Sequence, residues 1–164
     1  MVQALRYEQH KGDTPLTAFL IHRSVENPIL GTYFYWYVRV ERNPKNKANQ
    51  FYDKVLARFD MQLKMAKYGA SWAEIYARQT TFVDNMTALC STLRSAKVSR
   101  HREIEMLRSL ISKGAEYDFS AMGALPLPID PTILLTSVIA EKARVFKSAM
   151  KPFMMTFKCF RNEQ

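Results

Sequence analysis

The residues best suited to chemistry lie in the stretch FKSAMKP, Phe146 to Pro152. The segments on either side, ARV and FMMTFK, suit the two strands of a hairpin. The small pair Ser148 and Ala149 lets backbone N–H groups approach an anion, and Pro152 stiffens the exit from the turn. Lys147 and Lys151 add positive charge. Such a loop could cradle phosphate, although phosphate loops commonly rely on glycine and this one has none. Serine and proline between strands are also ordinary turn chemistry, so the residues alone leave both readings open. The remaining candidates are weaker. His10, His22 and His101 sit near no paired acid or nucleophile, and no Ser-His-Asp, H-E-x-x-H or calcium-loop pattern occurs.

The elements that must position this loop come from a chain of 164 residues, enough for one domain or for adjoining parts of two. Its 48% hydrophobic residues can fill a core and argue against disorder. The longest apolar run, around YFYWYV, falls far short of a membrane span, and the first residues hold no signal-peptide block, so the chain reads as intracellular. Cys90 and Cys159 form no C-x-x-C pair and are expected to be reduced, buried thiols. The net charge of +9 favours anionic partners. Its densest cluster, Arg94, Lys97, Arg100 and Arg102, has no interleaved aromatic residues for stacking nucleic-acid bases. It reads first as a solvated connection between helices, and no nucleic-acid partner is expected.

Helical patterns dominate up to Gly114. Thr14 caps a helix that starts on Pro15, with Leu16, Phe19, Leu20 and Val25 as its expected apolar face. The segment ILGTYFYWYVRVE favours strand by propensity and buried helix by length. Tyr35 and Trp36 are its expected core anchors. Tyr52, Val55, Leu56, Phe59 and Leu63 recur at helical spacing, followed by Gly69 as a left-handed stop. Ser71 and Glu74 suggest a capping box for a helix with a Phe82, Val83, Met86, Leu89, Cys90 and Leu93 stripe. A shorter helix carries Ile104, Leu107 and Ile111 and closes at Gly114. Three prolines in LPLPIDP mark the change from α to β, and TILLTSVIA and FMMTFKCF read as strands. The fold class is α+β: mostly helical over the first two-thirds, then a partial antiparallel sheet.

Three blocks carry a family resemblance: LTAFLIHRSVENPILGTYFYWYVRVE, RQTTFVDNMTALCSTLRSAKVSRHREIEMLRSLI and LPLPIDPTILLTSVIAEKARVFKSAMKPFMMTFK. In order and in aromatic anchors they resemble the phosphatidylinositol 3-kinases, most of all the class III, vesicle-sorting branch. The resemblance implies that residues 1–78 are the C-terminal part of the helical accessory domain. Residues 79–164 would then open the catalytic domain with helices and the first N-lobe strands. It also implies a helix for YFYWYV. The loop Val145, Phe146, Lys147, Ser148, Ala149, Met150, Lys151 and Pro152 would cover the ATP phosphates, with Ser148 as hydroxyl donor and Phe146 and Pro152 walling the nucleotide. Lys151 departs from the class III pattern, which has an apolar residue before the proline.

By the same resemblance, the whole enzyme would transfer the ATP γ-phosphate to the 3-hydroxyl of phosphatidylinositol with Mg²⁺. It would work in the cytoplasm, on endosomal and autophagic membranes, with regulatory protein subunits. The strand lysine, the catalytic loop and the Mg²⁺ ligands cannot be assigned to any residue here, so this chain alone is expected to be inactive. It is also expected to self-associate through FMMTFKCF, which is apolar on both faces. The alternative is a non-catalytic helical interaction module derived from such a kinase.

Overall fold

Two helices begin at residues whose side chains cap them. In the computed structural model, which describes residues 1–10, 14–42, 45, 47–119 and 123–161, Thr14 Oγ1 accepts the Thr17 N–H at 3.3 Å. Pro15 follows at the first helical position. Asn27 repeats the device: its Oδ1 accepts from the N–H groups of Ile29 and Leu30 at 3.0 and 3.1 Å, ahead of Pro28. The helices are α1 (Val2–Glu8), α2 (Pro15–Glu26), α3 (Pro28–Glu41), α4 (Asn49–Met65), α5 (Gly69–Ser95) and α6 (Arg100–Ile111). Strands follow as β1 (Leu125–Leu127), β2 (Asp130–Val138), β3 (Arg144–Val145), β4 (Phe153–Met154) and β5 (Phe157–Arg161). The α+β class is therefore observed. Packing divides the chain into two units, Met1–Ala77 and Arg78–Gln164.

In the first unit the aromatic run is helical despite its strand propensity. As α3, it places Gly31, Phe34, Tyr35 and Val38 on one buried face. Phe34 packs against Phe59 of α4 with ring centroids 5.3 Å apart, and Tyr35 stacks on Tyr76 at 4.6 Å. Tyr52, Val55, Leu56, Phe59 and Leu63 are all buried, as their spacing requires. Trp36 is not the expected deep anchor; it is half-buried against the edge of this cluster, and Phe34 occupies the centre.

The inner face of α2 also differs from expectation. Thr17, Ile21 and Ser24 are buried, whereas Leu16 and Phe19 are exposed. The cause is close approach to α3. A Cβ on Gly31 would lie 2.5 Å from the Ser24 carbonyl oxygen and 2.7 Å from the Tyr76 hydroxyl, so this seam admits only small residues. Gly69 is not a left-handed stop but the first residue of α5, placed where a side chain would run into the Leu63 carbonyl. Ser71 and Glu74 lie inside that helix, so they form no capping box at its start.

In the second unit, Phe82, Leu89 and Leu93 of α5 and Leu107 and Ile111 of α6 supply the helical side of the core. Phe82, Phe119 and Phe157 form an edge-to-face triangle with centroids 5.4 to 6.0 Å apart. The antiparallel order is β1-β2-β5, with β3-β4 as a separate ladder. The proline passage is itself part of the sheet. Pro126 is tolerated because β1 is an edge strand, and the buried Gln79 side chain donates to its carbonyl at 2.7 Å. FMMTFKCF is split: Phe153–Met154 pairs with β3 and Phe157–Arg161 with β2. Between them, the Ile139 N–H donates to the Thr156 carbonyl at 2.7 Å. Gly114, at φ 78°, takes the left-handed conformation after α6. Cys159 is exposed on β5 rather than buried, because the apolar and polar faces of this strand are not cleanly separated.

Two tests follow from the first unit's core. Phe34→Ala should cost about 3–5 kcal/mol and Trp36→Ala only about 1–2 kcal/mol in denaturant melts, because only the former opens an enclosed cavity. Equal losses would contradict the centre assigned to Phe34. Burial raises the Tyr76 hydroxyl from 10.0 to about 12. The folded state thus holds this proton longer than the unfolded chain does. Its contribution is complete below pH 10 and is lost as pH rises towards 12. Tyr76→Phe should make the alkaline decline of stability shallower in melts taken across that window.

Candidate functional site

The loop between β3 and β4 is held at its neck and free at its tip. Arg144 pairs with Met154 and Val145 with Phe153. Above them the Phe146 N–H donates to the Pro152 carbonyl at 2.8 Å, joining the two residues expected to wall a ligand. Val145 is buried in the core, while Phe146 and Pro152 are exposed. Within the loop, the Lys151 N–H donates to the Ser148 carbonyl at 3.0 Å and the Met150 N–H to Ser148 Oγ at 3.3 Å. Ser148 therefore folds the turn as an acceptor, and its hydroxyl proton is available to donate outward. The N–H groups of Lys147, Ser148 and Ala149 find no acceptor among the described residues. Three consecutive exposed donors beside a lysine fit a phosphate group without glycine.

The two lysines have different surroundings. Lys147 is exposed, whereas the Lys151 side chain turns back towards the helices. Lys151 Nζ donates to the carbonyl oxygens of Leu93 at 3.0 Å and Ala96 at 2.5 Å, and lies 2.7 Å from Glu103 Oε1. Arg100 reaches the Val145 carbonyl at 3.4 Å. Arg94, Lys97, Arg100 and Arg102 are exposed at and beside the α5–α6 connection. Glu103 was missed as a partner of this loop. It lies in the first turn of α6 and pairs with a residue 48 positions away, which local spacing does not reveal.

Other hollows offer less chemistry. An open cavity of about 580 Å³ in the first unit is lined by Gln9, Phe51, Lys54, Val55 and Arg58 among others, with no carboxylate or histidine among its described lining residues. No group of histidine, cysteine and acidic side chains suited to a metal ion occurs among the described residues. None of the described helices is long and apolar enough to cross a membrane.

Comparison with known proteins agrees with the sequence blocks. Residues 1–71 match the accessory (PIK) domain of the phosphoinositide 3-kinase family. Phosphatidylinositol 3-kinase pik3 of Schizosaccharomyces pombe is 31% identical over 97% of this chain, which spans 20% of that protein. Phosphatidylinositol 3-kinase VPS34 of Saccharomyces cerevisiae is 29% identical over 92% of the chain, spanning 16% of its length. The Arabidopsis thaliana VPS34 is 26% identical over 96%, again with 20% of its length covered. The chain thus spans about a fifth of these relatives, and along most of its own length it is similar to phosphatidylinositol 3-kinases.

The loop geometry makes a local prediction. Ser148→Ala removes the acceptor of the Met150 N–H, so hydrogen exchange at that amide should quicken while the Phe146 amide keeps its rate. Global stability should fall by less than about 1 kcal/mol, as for an exposed hydrogen bond. Equal acceleration at both amides would show that Ser148 holds the neck as well as the tip.

Proposed function

We propose, from this kinship with phosphatidylinositol 3-kinases, that the chain is a segment of such a lipid kinase and contributes the loop over the ATP phosphates. The whole enzyme would transfer the γ-phosphate of ATP to the 3-hydroxyl of phosphatidylinositol. The observation that carries the loop assignment is the row of unengaged N–H groups at Lys147, Ser148 and Ala149, on a loop closed by the Phe146–Pro152 hydrogen bond. Fixed backbone donors aimed at an anion need no reorganisation when it binds. Lys147 adds a cation beside them, and the ring of Phe146, half exposed, offers an apolar wall.

Residues 1–78 would form the end of the accessory domain and residues 79–164 the start of the catalytic domain. Mg²⁺ would neutralise the phosphate charge during transfer in the whole enzyme. Work on phosphatidylinositol in endosomal and autophagic membranes, with regulatory protein subunits, completes the proposal. The exposed cations of the α5–α6 connection are compatible with an anionic membrane surface nearby.

Titration of the isotopically labelled chain with ATP should move the amide signals of Lys147, Ser148 and Ala149 before those of β1 and β2. A loop that stays silent at millimolar ATP would overturn its assignment. The purified chain should form no 3-phosphorylated phosphatidylinositol, because positioning and charge neutralisation provide most of phosphoryl-transfer catalysis and most of those groups are absent. Detectable product would overturn the segment reading instead.

A further inference from the structure

We infer that Lys151 is a positioning residue for this loop, latching it through Glu103 onto the corner between α5 and α6. The functional meaning of the latch rests on the proposed role of the loop in ATP binding; its existence does not. A helix ends with carbonyl groups that lack intrahelical partners and carry the negative end of the helix dipole. At the end of α5 the Lys151 ammonium answers the Leu93 carbonyl in the last turn and the Ala96 carbonyl just beyond it. The same ammonium meets Glu103 in the first turn of α6, where the dipole favours a carboxylate. Both side chains are largely enclosed, at 19% and 9% exposure, so either partner alone would leave a poorly solvated charge.

The backbone agrees with the side chain. Lys151 has φ 45°, in the left-handed region that a residue with a Cβ adopts only when its surroundings compensate. Its own N–H closes the turn onto the Ser148 carbonyl at 3.0 Å. One residue therefore ties the loop's turn to two helix ends. The consequence is a division of labour between the loop's lysines: Lys151 sets the loop's conformation, and Lys147 faces solvent with the unengaged N–H groups.

The test is residue-resolved hydrogen exchange on the 164-residue chain, corrected for intrinsic rates, with Lys151→Met, Lys151→Arg, Glu103→Gln and the Met/Gln double variant. Lys151→Met should speed exchange at the amides of Phe146 and residue 151 at least ten-fold, with less than a two-fold change in β2. Glu103→Gln should have a smaller effect that vanishes in the Lys151→Met background, and Lys151→Arg should recover most of the protection. Unchanged loop exchange in Lys151→Met, or a uniform rise that includes β2, would overturn the latch. Should Lys151→Met fail to fold, the Glu103→Gln and Lys151→Arg arms decide the same question: loop exchange that neither variant moves selectively would refute it. ATP titration of the same proteins separates the two ideas. If the wild-type loop ignores ATP while the exchange pattern holds, the nucleotide assignment falls and the latch stands. If ATP binds, Lys151→Met should weaken it at least five-fold and Lys151→Arg should restore it; equal affinity in all three would deny Lys151 its positioning role.

Discussion

The unmet carbonyls at the end of α5 impose a constraint that much of the second unit resolves. A 27-residue helix that stops at Ser95, with α6 starting at Arg100, leaves a polar corner between two helices that bury Leu93 and Leu107. Water could satisfy that corner, but here a lysine from the β3–β4 loop enters it, and Glu103 balances the charge. The loop is consequently fastened at three levels. Val145 is buried in the core, Phe146 and Pro152 are joined through the backbone, and Lys151 is held by the helices. What remains uncommitted is the exposed tip, where the N–H groups of Lys147, Ser148 and Ala149 have no acceptor among the described residues. A short loop fixed so firmly would lose little further entropy on binding a ligand, which is the physical advantage of preorganisation.

The first unit is built on a different constraint, close approach between helices. Gly31 allows the Ser24 carbonyl and the Tyr76 hydroxyl into space that any side chain would fill. That seam draws small residues inward on α2 and pushes Leu16 and Phe19 outward, while Phe34, Phe59, Tyr35 and Tyr76 fill the wider part of the core. The chain's similarity to phosphoinositide 3-kinase accessory domains covers this same region, residues 1–71. The Tyr76 hydroxyl in this core holds its proton to higher pH than a free tyrosine, because burial penalises the phenolate.

Much of this architecture was legible in the sequence where local rules and burial agree. Thr14-Pro15 marks a helix start because the hydroxyl and the fixed proline φ both suit it, and the α4 stripe from Tyr52 to Leu63 is buried as its spacing demands. The hairpin about FKSAMKP was visible for the same reason, since strand-forming residues flank a turn. Where the local signals conflict, tertiary packing decided. The α3 aromatics favour strand individually, yet the Asn27 cap ahead of Pro28 and a face containing Gly31, Phe34 and Val38 make a helix the arrangement that buries them. FMMTFKCF, uniform in composition, is divided because its two ends meet different strands.

By itself, the sequence determined the Thr14-Pro15 helix start, much of the apolar spacing, the change from α to β and the resemblance to phosphatidylinositol 3-kinases. These depend on neighbours within a few residues, or on an ordered set of blocks that can be compared directly. Only the tertiary structure decided which α2 residues face inward, which aromatic ring occupies the centre, and that Lys151 serves the helices while Lys147 faces solvent. Such outcomes depend on distances between residues far apart in the chain. A lysine before a proline has the same local chemistry whether its ammonium meets water, phosphate or, as here, the carbonyl end of a helix 55 residues earlier.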